Sequence, residues 1–265
     1  MDIQNKNDFI NYFRSTFDVL KLKEADIIYL YSDFRFFSQY IPLFESKNDF
    51  LQSLLGPIME MDKTIITTTF SYTTQGEFDV LKTPTTLGVL NKWIMNQPGF
   101  ARSEHPVFSY ASIGPQKALV ENIAKSAFGK KSIFDRLLGK KTAFVHIGRP
   151  VELGNTSLHF VEQMCGATYR YNKFFPTKVF KNGTYIDTDY SANMRALNVP
   201  NETFIFDFKK ASDLLRKNHL IQEVGEISNL SNISFYWYDS TIDLLVDEFY
   251  KDPCLFINSI YKRYE

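Results

Sequence analysis

Two short apolar runs separated by a segment of helical length constrain this chain more than any other feature. Residues 25–31 (ADIIYLY) follow a charged turn and predict a buried strand. Residues 47–59 predict a helix, with Ser46 or Asn48 placed to cap it. Residues 63–71 (KTIITTTFS) are rich in β-branched side chains and predict a second strand. Strand, helix and strand at this spacing imply parallel strands joined by a right-handed crossover.

The remaining pattern extends that unit. Helical periodicity is read at 9–22, 87–95, 118–127, 132–138, 157–165, 209–220 and 242–250, and strands at 107–113, 141–147 and 204–208. Residues 73–84 are polar and predict a loop, and residues 223–238 are strand-rich. From Thr168 the texture changes. Residues 169–180 are aromatic and basic, and Lys181-Asn182-Gly183 predicts the turn of a hairpin whose second arm is 184–187. The expectation is one α/β domain over residues 1–265. Its centre is a mixed, largely parallel sheet flanked by helices, with a small β-rich subdomain at about 168–205.

Charge excludes whole classes of partner. Thirty basic and 30 acidic residues give a formal net charge of zero. No global positive field draws the chain to nucleic acid or to a membrane surface. No run approaches the ~18 apolar residues of a transmembrane helix. The first nine residues lack the apolar core of a signal peptide, so the expected location is cytoplasmic. Cys165 and Cys254 form no metal-ligand pattern and read as free thiols. Homo-oligomerisation is left open, and no metal is expected.

Three segments carry chemistry. In Thr156-Ser157-Leu158-His159-Phe160-Val161-Glu162, His159 and Glu162 are three residues apart and share a helix face. An imidazole titrates near neutrality, and a carboxylate beside it fixes its tautomer. A plain surface pair is the alternative reading. In the loop Arg102-Ser103-Glu104-His105-Pro106 the guanidinium could hold a phosphate or carboxylate, with Ser103 and Ser109 bonding an amide. Equally, Arg102 and His105 could tie down backbone carbonyls. The third segment is Thr69-Phe70-Ser71, followed by Phe78-Asp79 and Thr83-Pro84, where a strand end meets a polar loop.

Taken together, these segments resemble the aminoglycoside 3-N-acetyltransferase family. The resemblance rests on Thr69-Phe70-Ser71, Phe78-Asp79, Thr83-Pro84 and Gly88-Val89-Leu90. It continues through Pro98-Gly99, Arg102-Ser103-Glu104-His105-Pro106, Ser109 and Gly114, to Thr156, His159 and Glu162. It is strong from about 64 to 165. It implies an acetyl- or acyl-CoA donor and an amine acceptor, with His159 as general base and Glu162 orienting it. On the donor side it places Ser32, Ser71, Arg102, Ser103, His105 and Ser109, with the oxyanion met near Ser71 or Ser103. Asp79 falls on the acceptor side.

One segment departs from an aminoglycoside site. Polycationic acceptors call for carboxylates, yet residues 169–178 (YRYNKFFPTK) contain none. Tyr169, Arg170 and Lys173 suit a nucleotide-linked amino sugar, with a ring to stack on a base and cations to meet a diphosphate. That acceptor leads; an aminoglycoside, or a non-catalytic member of the family, is the alternative. A solvated hairpin with core aromatics explains the same residues without a ligand.

Overall fold

A computed structural model describes residues 3–153, 155–196, 202–224 and 233–261. The strands are β1 Ile27–Ser32, β2 Thr64–Thr68, β3 Gly76–Asp79, β4 Ala101–Arg102, β5 Tyr110–Ile113, β6 Thr142–Ile147, β7 Arg170–Phe175, β8 Thr177–Lys181, β9 Thr184–Asp187, β10 Tyr190–Arg195, β11 Glu202–Phe206, β12 Gln222–Val224, β13 Ile233–Trp237 and β14 Ile257–Tyr261. The α-helices are α1 Lys6–Val19, α2 Lys47–Met59, α3 Val89–Met95, α4 Ile133–Leu137, α5 Leu158–Met164, α6 Lys209–Lys217 and α7 Tyr238–Lys251.

A seven-stranded sheet runs β12-β13-β6-β1-β2-β5-β4. β1 is central and pairs in parallel with β2 and β6. The sheet is mixed, as expected, but its parallel part is confined to these three strands. The ladders β2–β5, β5–β4, β6–β13 and β13–β12 are antiparallel. Only the segments β1–α2–β2 and β6's approach to β1 provide the long crossover that parallel pairing needs.

Both sheet faces are covered, which explains why β1 and β6 read as continuous apolar runs. On one face α1, α2 and α3 pack over Ile28, Leu30, Val145 and Phe235. Phe9, Phe13 and Phe17 of α1 follow one another every four residues and are fully buried. Full burial of each ring is worth about 2 kcal/mol. On the other face α4, α5 and α7 cover Tyr29, Tyr31, Phe144 and Tyr236.

Several expectations change in detail. The helix read at 118–127 is a single 3₁₀ turn, Lys117–Val120. Arg136 pulls the following segment out of helix by donating to the carbonyls of Leu119, Glu121 and Asn122, and Asn122 adopts a φ of 51°. The loop read at 73–84 contains β3, which pairs with β8 because Phe78 and Val80 need burial against Val179 and Tyr190. The hairpin is β8–β9, turning at Asn182 and Gly183 with φ of 54° and 76°. β7 does not join it. Pro176 breaks the strand, and β7 pairs antiparallel with β10 as a separate two-stranded ribbon. Residues 225–232 of the strand-rich stretch lie outside the described residues. No described helix is long and apolar enough to cross a membrane.

Candidate active site

The C-terminal edge of the three parallel strands is where an α/β sheet builds sites. Tyr31, on β1, reaches across this edge to the start of α5. Its hydroxyl receives the Thr156 N–H at 3.2 Å and lies 3.4 Å from Oδ1 of Asn155. The same Oδ1 accepts from the amide and hydroxyl of Ser157, at 3.2 and 2.6 Å, and the Asn155 amide meets the Tyr236 hydroxyl. Strands β1 and β13 therefore fix where α5 begins. Just before it, Gly148 turns the chain with a φ of 64°. A Cβ there would lie 2.5 Å from the Asp33 carbonyl oxygen, so only glycine fits.

His159 and Glu162 meet as their spacing predicts. Nδ1 of His159 lies 2.7 Å from Oε2 of Glu162. Glu162 is fully buried, while the His159 side chain keeps 18% of its surface exposed. The carboxylate is satisfied on both oxygens. Tyr169 donates its hydroxyl to Oε1 at 2.9 Å, and the Arg170 guanidinium reaches Oε2 at 2.6 Å. Arg170 also donates to the Asn193 carbonyl at 2.5 Å. The His159 ring is walled by Phe128 at 5.1 Å and Phe206 at 4.9 Å.

These contacts set the charge states. Burial lowers the His159 pKa below its usual 6.5, and the nearby cations Arg170 and Arg195 lower it further, against the pull of Glu162. His159 is thus a neutral imidazole at neutral pH. Burial pushes the Glu162 carboxyl up, but His159 and Arg170 hold it below its ordinary value, so it stays ionised.

Tyr169 and Arg170 take part in this arrangement. The sequence assigns both to the acceptor, but their side chains are nearly buried and bound to Glu162. Lys173 is exposed and lies over the Phe175 ring at 5.9 Å. Strand alternation puts it on the opposite face of β7 from Arg170, so the two do not converge on one ligand. Asp79 uses its carboxylate to cap the amides of Leu81 and Lys82, at 2.9 and 3.0 Å.

The expected donor-side loop is also bound to the protein itself. Arg102 is 1% exposed. It donates to the carbonyls of Val80 (3.1 Å), Thr83 (2.5 Å) and Thr69 (2.8 Å), and to the Ser109 hydroxyl (3.2 Å). The hydroxyl of Ser109 in turn donates to Thr69 at 2.7 Å, and Ser103 receives the Tyr110 amide at 2.9 Å. Nδ1 of His105 accepts the amides of Val107 and Phe108, which leaves Nε2 protonated to donate to the Ser191 carbonyl at 3.0 Å. All four of these side chains, expected on the donor side, are buried and bonded within the protein. They fasten the β2 end, the 80–83 turn and β10 to one another. Ser71 is half-buried and donates to the Pro106 carbonyl at 2.5 Å.

Ser32, expected on the donor side, opens onto a cavity. This space of about 440 Å³ is walled by Ser32, Phe34, Ile41, Phe50, Gly88 and Val89, with Arg35 and Lys47 also lining it. Two features of the site have no signal in a motif. Asn155 with Tyr31 anchors α5, and Arg195 sits near His159. No group of three His, Cys, Asp or Glu able to hold a metal occurs among the described residues.

Comparison with known proteins places this geometry. No curated protein sequence matches the chain. Among solved structures, aminoglycoside acetyltransferase AAC(3)-IVa in complex with a gentamicin superposes with a TM-score of 0.70 at 19% identity, over 97% of this chain and 92% of that one. AAC(3)-IIb gives 0.73 at 15% identity, over 92% and 97%. The YokD protein from Bacillus subtilis gives 0.72 at 15% identity, over 96% of each. At such identities the likeness shows a shared fold. Residues 60–235, about two thirds of the chain, match the family model of the aminoglycoside 3-N-acetyltransferases. The chain belongs to the aminoglycoside 3-N-acetyltransferase family and is an acyl-CoA-dependent amine N-acyltransferase.

Proposed function

We propose that this protein acylates the amine of an amino sugar by direct attack on an acyl-CoA thioester, with His159 as the general base. The observation that carries this reading is the 2.7 Å contact between Nδ1 of His159 and the buried Glu162. With Nδ1 donating to the carboxylate, the lone pair of Nε2 faces outward. In this tautomer the Arg170 guanidinium, 2.8 Å from Nδ1, is a close approach and not a hydrogen bond, because a protonated Nδ1 has no lone pair to accept with; both groups are held by Glu162.

The sequence of events follows from charge. The acceptor arrives as an ammonium, which is no nucleophile. Nε2 removes a proton, and Glu162 stabilises the imidazolium that forms. The free amine attacks the thioester carbonyl; as the tetrahedral adduct collapses, its nitrogen gives up a second proton to the departing CoA sulfur, and the proton first taken by Nε2 leaves to solvent. The acyl-CoA arm is assigned to the cavity at Ser32, where Lys47 could meet a phosphate and Arg35 is paired with Asp33. Burial raises the Cys165 thiol, which meets the Tyr250 side chain, and Cys254 is exposed, so no acyl-enzyme step is invoked.

The comparisons favour an aminoglycoside as acceptor over the nucleotide-linked sugar expected from residues 169–178. Burial of Tyr169 and Arg170 behind Glu162 removes much of that expectation. One observation keeps the nucleotide-linked sugar as a second reading: two guanidinium groups, of Arg170 and Arg195, stand beside His159 with Glu162 as the counter-charge.

The test is CoA release from acetyl-CoA, with kanamycin and a dTDP-linked 4-amino sugar in separate reactions. Turnover with either, lost in His159→Ala, supports the reading. Undiminished turnover in a folded His159→Ala protein rejects His159 as the base.

A further inference from the structure

Arg195 is the uncommitted cation of this site. It ends β10 directly opposite Arg170 of β7, so two like charges share one cross-strand position. Cross-strand like charges destabilise a ribbon unless something offsets them. Arg170 has its offset in Glu162. Arg195 feels Glu162 only through space and shares it with Arg170: among the described residues its guanidinium makes no hydrogen bond and no ion pair, and its Nε is buried without a partner. Its only packing contact of note is the Phe206 ring, 4.3 Å from the guanidinium carbon.

That ring locates Arg195 relative to the chemistry. Phe206 also carries Arg170 at 5.0 Å and lies 4.9 Å from the His159 ring. The unpaired guanidinium is therefore separated from the base by one aromatic ring. A guanidinium stacked on a ring keeps its in-plane N–H fork free, and that fork matches the oxygens of a phosphate. A second feature lies along the same strand face. Phe174, four residues from Arg170 on β7, is 66% exposed. Alternation places it on the face that carries Arg170 and Arg195. An exposed ring beyond a free cation suits a base beyond its phosphate.

We propose that Arg195, stacked on Phe206, forms an anion subsite beside His159 that takes the phosphate of a nucleotide-linked amino sugar, with Phe174 as the stacking surface for its base. This names the acceptor class within the function proposed above, and it rests on that function for the role of His159. The arrangement is a poor receptacle for a polycation. It holds a sugar phosphate within a few bonds of the amine that His159 deprotonates. The phosphates of CoA lie a whole pantetheine arm from the thioester and do not meet the same need.

Calorimetric titration of dTDP into the full-length protein, with CoA saturating, reads this directly. Wild type is expected to bind dTDP at least roughly tenfold more tightly than Arg195→Gln, with Arg195→Lys between them, as loss of a charge-assisted contact requires. His159→Ala should bind dTDP like wild type, which separates the subsite from the base. Equal affinity in wild type and Arg195→Gln, or no binding by wild type, overturns the proposal. So does competition between dTDP and CoA, which would assign Arg195 to the donor. In turnover, Arg195→Gln should raise KM for the dTDP-linked sugar by roughly 10- to 100-fold more than for kanamycin. An equal loss with both acceptors also overturns it. Thermal unfolding of each variant excludes a folding defect as the cause.

Discussion

The guanidinium of Arg170 comes within 2.8 Å of Nδ1 of His159, and both groups approach the same oxygen of Glu162. A cation this close to an imidazole opposes its protonation, while the shared carboxylate favours it. The balance leaves the His159 pKa below 6.5, with burial as the largest cause.

The profile of kcat/KM against pH should therefore lose activity on its acid side, with a midpoint below 6.5 in the wild type. Arg170→Gln removes the opposing cation, so the His159 pKa rises and the acid limb moves to higher pH. An unmoved limb in a folded variant would show that Arg170 does not tune the base.

His159→Ala is expected to lower kcat by roughly 10²–10⁴, the usual cost of losing a general base. Glu162→Gln keeps a hydrogen-bond acceptor for Nδ1 but no charge for the imidazolium, so its loss should be clear and smaller. Steady-state rates with saturating acetyl-CoA measure both. A larger loss in Glu162→Gln than in His159→Ala would reverse the assigned roles.

Arg102→Met should destabilise the fold by about 2–5 kcal/mol. It strands the carbonyls of Val80 and Thr83, and removes one donor each from the Thr69 carbonyl and the Ser109 hydroxyl, which remain bonded to each other. Denaturant unfolding at pH 7.5 gives the magnitude. A change within roughly 0.5 kcal/mol, the range of a surface substitution, would mean that Arg102 does not hold the loop.

Acid should weaken the whole fold. Burial lowers the pKa of His105 to about 4 and of His146 to about 3. Both are neutral in the native state and protonate near 6.5 when unfolded. Their contribution is complete above about pH 6.5 and is lost as pH falls towards about 4 and then about 3. Unfolding midpoints at pH 7.5, 5.5 and 4.5 should fall in that order. His105→Asn should flatten the upper part of the trend, and an unchanged slope would remove His105 from the explanation.

How much of this is legible in sequence depends on the range of the interaction. His159 and Glu162 lie within one helical turn, so spacing alone puts them together. The boundaries of α2 follow for the same local reason, with Ser46 capping the Asp49 amide. The Arg102 to Ser109 segment is recognisable, but not its orientation. A guanidinium reads the same whether it faces a ligand or three backbone carbonyls, and only the approach of the 80–83 turn decides. Arg195 gives no signal at all. Its place opposite Arg170 depends on β7 leaving β8 for β10, a choice made at Pro176 and invisible in composition. Tyr169 and Arg170 show polar chemistry in sequence but not their contact with Glu162, because strand alternation cannot tell which face α5 will cover.

The ribbon of β7 and β10 belongs to none of the ladders of the seven-stranded sheet. Its outward positions can change while β1, β6 and the start of α5 keep their hydrogen bonds. In the function proposed above the sheet and α5 hold the base, and the ribbon adds to it through Arg170 while its other outward side chains are left to meet the amine. On that reading a change of acceptor calls for new side chains at those outward positions, with Arg170 kept where it meets Glu162.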